Sequence, residues 1–151
     1  MIVIEPADPR SPGPQTLLEA SQALMQALYP PEENFSLGIE ALCGPDIHFF
    51  VARDGERTIG TGALCVCDGY GEVKSMFTAQ EARGKGVAAA LLRQIEDQAR
   101  GLGLPVLRLE TGAELAQAVR LYERHGFSLR GAFGDYAENE TSIFMEKSIC
   151  D

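Results

Sequence analysis

Residues Arg83-Gly84-Lys85-Gly86-Val87-Ala88 mark a change of rhythm in the chain. Before them, residues 72–78 alternate as a strand does. After them, Val87, Leu91, Ile95, Ala99 and Leu102 recur on one helical stripe. A strand must therefore pass into a helix through two glycines interleaved with two cations. Such a junction leaves unobstructed backbone N–H groups at a helix start, where the helix dipole favours an anion. The segment reads as a device for holding a phosphate, and the fold has to be built around it.

The flanking pattern supplies the rest. Residues 2–5 read as a short strand, followed by a Pro/Gly-rich stretch. A helix over residues 15–29, with Leu17, Leu24 and Leu28 on one face, stops at Pro30-Pro31. A shorter helix over 35–42 ends at Gly44-Pro45. Strands at 47–53 and 58–67 meet at Asp54-Gly55, a hairpin signal, and Asp68-Gly69 turns the chain into the strand at 72–78. After the helix at 87–102 come a strand at 106–111 and a helix at 114–125 with Leu115, Ala118, Val119 and Tyr122 on its apolar face. Two final strands at 127–130 and 141–147 close the pattern. The order βααβββαβαββ predicts an α/β fold: a mixed, mostly antiparallel sheet with helices on both faces. A length of 151 residues fits a single domain over 1–151, able to bury roughly 70% of its unfolded surface.

Charge narrows the ligand. A net charge of −9 argues against nucleic acid or an anionic membrane as partner. No apolar run approaches the ~20 residues that span a bilayer. The segment Met1-Ile2-Val3-Ile4-Glu5-Pro6 lacks the basic start of a signal peptide, so the expected location is cytoplasmic and the four cysteines are read as free thiols. Against this acidic background Arg83 and Lys85 are a local exception, suited to a small polyanion. A nucleotide-hydrolase loop needs GxxxxGK[ST], which the chain lacks, and a dinucleotide loop needs a third glycine after the first strand of a parallel unit. On its own, the glycine segment could equally be a tight strand-to-helix turn.

The wider sequence is more specific. Arg83-x-x-Gly86-x-Ala88 matches the Q/R-x-x-G-x-G/A signature of the GNAT superfamily of acyl-CoA-dependent N-acetyltransferases, at the expected place between fourth strand and third helix. Leu121-Tyr122-Glu123-Arg124-His125-Gly126-Phe127 resembles the family's LYxxxGF helix end. Residues 47–60, 72–76 and 133–136 resemble segments of small bacterial members, so the resemblance covers essentially the whole chain. It implies the GNAT fold and transfer of acetyl from acetyl-CoA to a primary amine of a small molecule or peptide, by direct attack in a ternary complex. A homodimer is a common assembly in the family. The alternative function is a non-catalytic acyl-CoA binding module.

Carried over by position, the amides of Arg83, Gly84, Lys85, Gly86, Val87 and Ala88 hold the pyrophosphate of coenzyme A. Met76, Phe77 and Thr78 pair with the pantetheine arm and polarise the thioester carbonyl. Amine attack needs a proton acceptor, and the departing thiolate needs a proton source. Tyr122 matches the family's acid, although its place among Leu115, Ala118 and Val119 also fits core packing. Glu72, slightly preferred, and Glu110 are the candidate bases, and some members use ordered water alone. Leu115 stands where many members have an asparagine that contacts the pantetheine arm.

The acceptor side falls to residues 29–35 and 133–136, where Tyr29, Glu32, Glu33, Asp135 and Tyr136 suit a cationic or polar amine; a solvated acidic loop is the alternative. No metal is expected. Cys65-Val66-Cys67 would point both thiols to one face and reads as buried cysteines. A covalent cysteine route ranks low, because no cysteine lies in a motif with His and Asn or Asp. His48 reads as a packed or edge residue, and His125 as a cation complementing a helix C-terminus.

Overall fold

The computed structural model describes residues 1–35 and 37–150. Strands β1 (Ile2–Pro6), β2 (Ile47–Asp54), β3 (Arg57–Cys67), β4 (Tyr70–Thr78), β5 (Val106–Gly112), β6 (Ser128–Arg130) and β7 (Ser142–Ser148) form one sheet in the order β1-β2-β3-β4-β5-β7-β6. Every neighbouring pair is antiparallel except β4 with β5, which is parallel. The tight connections are where the sequence put them. Gly55 and Gly69, at the β2–β3 and β3–β4 turns, hold φ of 63° and 84°, a region that costs a glycine nothing.

The period-2 pattern of the strands divides the core between the two faces of the sheet. Phe50 and Ala52 of β2, Leu64 of β3 and Val73 of β4 join Leu107, Leu109 and Met145 in one cluster. Val87, Leu91, Leu92, Ile95 and Ala99 of helix α3 (Val87–Gly101) close it. Phe49, Val51 and Ala63 face the other way, against Leu18 of α1 (Pro12–Leu28) and Leu42 of α2 (Ile39–Leu42). Helix α4 (Ala116–Arg124) adds Tyr122 to the first cluster.

Two helices differ most from expectation. Helix α1 starts at Pro12 rather than residue 15, with proline at a position where the missing N–H is harmless. The helix expected over 35–42 shrinks to the four residues of α2, entered at Gly38. A 3-10 turn at Pro31–Glu33 takes up the chain before it, and residue 36 lies outside the described residues.

Candidate active site

The parallel pair β4–β5 is joined only at Gly71↔Leu107 and Glu72↔Arg108. Beyond these residues β4 stays with β3 and β5 with β7, so a cleft opens between their C-terminal halves. A bulge in β4 shapes one wall. The β3–β4 register shifts between Thr61 and Ala63, and Ser75 takes φ 56°, uncommon for a residue with a side chain. The fully buried Thr61 holds the bulge by donating from Oγ1 to the Ser75 carbonyl at 2.8 Å. Lys74, Ser75 and Met76 consequently line the cleft in succession, which a flat strand with alternating faces would not allow.

The opposite wall is Glu110, Thr111 and Gly112 of β5 with Leu115, Ala118 and Tyr122. Helix α1 and the chain after it contribute Ser21, Met25, Tyr29, Glu33, Asn34 and Phe35. The cleft measures about 130 Å³.

Glu110 and Tyr122 therefore meet in one site. Burial raises the Glu110 pKa above the ordinary carboxylate value, opposed by a 2.8 Å hydrogen bond from Ser142 Oγ to Oε2 and by the charge of Lys74. Tyr122 is 6% exposed and packs edge-on against Phe127 at 5.7 Å. Burial, reinforced by Glu110, pushes its hydroxyl well up, so it remains a protonated phenol. Tyr122 is part of the packed core and also lines the cleft.

Glu72 lies elsewhere. It is buried against Lys74 at 3.2 Å and accepts a 2.6 Å hydrogen bond from the Tyr136 hydroxyl. Lys74 Nζ donates onward to Tyr136 Oη at 2.8 Å and to the Phe35 carbonyl at 3.4 Å. Burial first, and then the hydrogen bond to Glu72, drives the Tyr136 pKa far upward. Around this network Tyr136 stacks at 5.3 Å on Phe35 and 5.1 Å on Phe133, whose ring meets Tyr70 at 5.6 Å. The segment between β6 and β7 is thereby fastened over β4.

Of the acceptor-side candidates, Tyr29 and Glu33 line the cleft, and Tyr136 sits behind Lys74. Glu32 and Asp135 are exposed and outside its lining. Met76 lines the cleft. Phe77 and Arg83 line an adjoining groove with Leu17, Ala20 and Leu24 of α1, and the Thr78 carbonyl accepts from Arg83 Nε at 3.2 Å. Sequence reasoning passed over Gly112 and Ser142, and treated Lys74 and Ser75 only as part of a family segment. Their signals were the ordinary alternation of β4 and the strand pairing of β5 with β7, neither visible before the register is known.

The glycine loop matches its expected form. Gly84 and Gly86 have φ of 79° and 81°, and a Cβ placed on either would meet no atom within 4 Å. Gly86 is the N-cap of α3, and Arg83 and Lys85 are exposed beside it. The first N–H groups of α3 therefore stand at an open cradle, which fits a pyrophosphate.

Two lesser expectations need correction. Cys65 and Cys67 are half-buried rather than buried, at the end of β3 beside the exposed turn at Asp68-Gly69, with sulfurs 3.8 Å apart. Burial and the neighbouring Cys67 push the Cys65 thiol up to about 12. His125 does sit at the end of α4, but burial and then Arg93, Lys147 and Arg124 lower its pKa, which disfavours the cationic form. Among the described residues no group of three or more His, Cys, Asp or Glu could hold a metal ion, and no helix is long and apolar enough to cross a membrane.

Comparison with known proteins agrees with this architecture. The family model described as Acetyltransferase (GNAT) family matches residues 15–127. A protein of Azospirillum brasilense named IAA acetyltransferase is 44% identical over 135 residues, covering 88% of each chain. A crystal structure of an acyl-CoA N-acyltransferase candidate from Klebsiella pneumoniae superposes with a TM-score of 0.83 at 28% identity, over 99% of this chain and 98% of that one. An aminoglycoside 6'-N-acetyltransferase complexed with coenzyme A shares the fold, with a TM-score of 0.76 at 15% identity over 99% and 98% of the two chains. The chain belongs to the GNAT acetyltransferase family, whose members use acetyl-CoA or coenzyme A, and is an acyltransferase.

Proposed function

For this acetyltransferase we propose transfer of acetyl to a primary amine by direct attack in the cleft between β4 and β5, with Glu110 as general base and Tyr122 as general acid. The observation that carries this reading is their shared placement: both line the cleft, while Glu72 is turned into an ion pair with Lys74 and a hydrogen bond with Tyr136. When bound, acetyl-CoA supplies the activated acyl carbon and a thiolate leaving group. The residues do the rest. The open N–H groups after Gly84 and Gly86 suit the pyrophosphate. The β4 wall at Met76, Phe77 and Thr78 offers backbone donors fixed before charge develops.

Ser142 engages one oxygen of Glu110 and orients the carboxylate. A pKa raised by burial brings that carboxylate nearer to the range in which a base exchanges protons at neutral pH. Tyr122 keeps its proton until a thiolate appears beside it.

Release of free thiol from acetyl-CoA, followed with a panel of primary amines and with IAA, tests the reading. The wild type should release thiol with at least one amine, and Glu110→Gln and Tyr122→Phe should each slow it while coenzyme A still binds. Coenzyme A binding without turnover of any acceptor would favour a binding module instead. Full activity in Glu110→Gln would remove that residue from the mechanism.

A further inference from the structure

The hydroxyl of Tyr29 is buried and has no hydrogen-bond partner among the described residues, on a residue only 8% exposed. Two features of the sequence commit the chain to placing it there. Pro30 disfavours helical geometry in the preceding residue, so α1 stops at Leu28 and Tyr29 turns extended, at φ −132° and ψ 144°. Its own N–H is anchored to the Met25 carbonyl at 2.9 Å. Opposite, Gly112 lacks the Cβ that would occupy the space of the hydroxyl. A phenylalanine would fill the same volume without leaving a buried polar atom unmatched.

The surroundings say what would match it. Tyr29 is in the wall of the cleft that also holds Glu110. Burial and the carboxylates of Glu114 and Glu110 raise its pKa. The Glu114 backbone amide lies near enough to oppose this weakly, without hydrogen-bond geometry. Among the described residues of the cleft wall, Glu33 and Glu110 are acidic, and the one basic side chain, Lys74, is matched by Glu72. An N–H donor on a cation suits such a place, and an anion does not. A cleft of about 130 Å³ leaves room for the aminomethyl end of an amine.

We propose that Tyr29 binds the acceptor directly, its phenol oxygen accepting a hydrogen bond from the N–H of an unbranched primary alkylamine that enters as the ammonium with Glu110 as its other neighbour. This inference rests on the acetyl-transfer reading above.

The test uses n-butylamine and butyrate as probes, titrated into full-length protein saturated with coenzyme A and followed by thermal shift and calorimetry. n-Butylamine should bind the wild type and butyrate should not. Tyr29→Phe should bind n-butylamine about tenfold more weakly. Its coenzyme A affinity should be unchanged, and its melting temperature without ligand no lower than that of the wild type. A packing role for the hydroxyl would instead lower the melting temperature and leave amine affinity alone, which overturns the proposal. Equal n-butylamine affinity in the two proteins overturns it as well. Binding of butyrate in preference, or no binding of n-butylamine, overturns the substrate class. Failure of coenzyme A to stabilise the wild type would bring down the acetyl-transfer reading, and this inference with it.

Discussion

Gly112 and Tyr29 make a pair whose coupling can be worked out before measurement. Gly112 is buried in β5 opposite Ser142, and its φ is not positive, so its backbone would accept alanine. The added Cβ would overlap the Tyr29 hydroxyl and the ring carbon bearing it, and would lie 3.2 Å from Cε1. Restoring a normal contact distance moves the hydroxyl by roughly 2 Å. Overpacking of this kind costs about 1–3 kcal/mol. For a chain of 151 residues that is a fall of roughly 2–12 °C in melting temperature.

In a Tyr29→Ala background the obstacle is gone. Gly112→Ala should then stabilise by about 0.4–1 kcal/mol, because alanine restricts the unfolded chain more than glycine does. The sign of one substitution thus inverts with the identity of a residue 83 positions away. The Tyr29→Ala protein itself loses about 3–5 kcal/mol by analogy with Phe→Ala, which a domain of 5–15 kcal/mol tolerates in most of that range. Urea denaturation of the four proteins in the cycle gives a coupling of about 1.5–4 kcal/mol, well beyond ordinary non-additivity. If Gly112→Ala cost the same in both backgrounds, the Tyr29 ring would not be seated over Gly112, and the origin assigned to its buried hydroxyl would be wrong.

Other outcomes follow from the same geometry. Glu110 must be deprotonated to act as base, so wild-type kcat/KM should rise with pH along a limb displaced upward from the ordinary carboxylate range. In Glu110→Gln the limb should vanish and kcat/KM fall about 10²–10⁴-fold. The folded state holds that proton more tightly than the unfolded state, so wild-type stability declines as pH rises from the unfolded carboxylate value through the folded one. Glu110→Gln should therefore melt no lower than wild type at pH 7, and a clearly lower melt would contradict the assigned burial. Glu72→Gln leaves Lys74 uncompensated in a buried site and should cost about 3–5 kcal/mol in urea unfolding; a loss under ~1 kcal/mol would show the ion pair to be dispensable. Gly86→Ala meets no atom but forces alanine to φ near 81°, at about 1–2 kcal/mol; calorimetry should show weakened coenzyme A binding, and unchanged affinity would detach the loop from that role.

What the sequence made legible has a common physical basis. Helix α3, expected over 87–102, spans Val87–Gly101, and β2, expected over 47–53, spans Ile47–Asp54. These elements are bounded by glycines whose positive φ no other residue adopts cheaply, so local chemistry states the boundary. Gly69 and Gly103 are further cases, at 84° and 78°. The helix over 35–42 failed for the converse reason. Its apolar spacing was short, and Gly38 starts α2 too late for more than four residues. Of the candidate site, the glycine loop and Tyr122 stand out in the sequence because each belongs to a contiguous motif. The bulge at Ser75 does not, since nothing in residues 72–78 reveals which residue is unpaired until β3 is laid beside β4.

The choice between Glu72 and Glu110 shows why adjacency of two strands is too coarse a guide to chemistry. Glu72 pairs with Arg108 at the last joined position of β4 and β5, where the sheet is still continuous. There its neighbours are a lysine two residues along the same strand and a tyrosine from the segment between β6 and β7, which together satisfy its charge. Glu110 stands two residues past the β5 end of that join, on a strand released from β4, with a serine hydroxyl as its one hydrogen-bond partner among the described residues. Separation of the strands is thus what differentiates two otherwise similar glutamates. Before the split a carboxylate is absorbed into the scaffold, holding the segment that closes over β4. After it, a carboxylate faces a cleft with Tyr122 on the same side and Tyr29 toward α1. The bulge acts in the same sense, since it turns three consecutive β4 residues toward the space that Glu110 faces from β5. Motif spacing points to the glycine-loop side of the fold, but where the join ends and which residues cross it set the surroundings of Glu110.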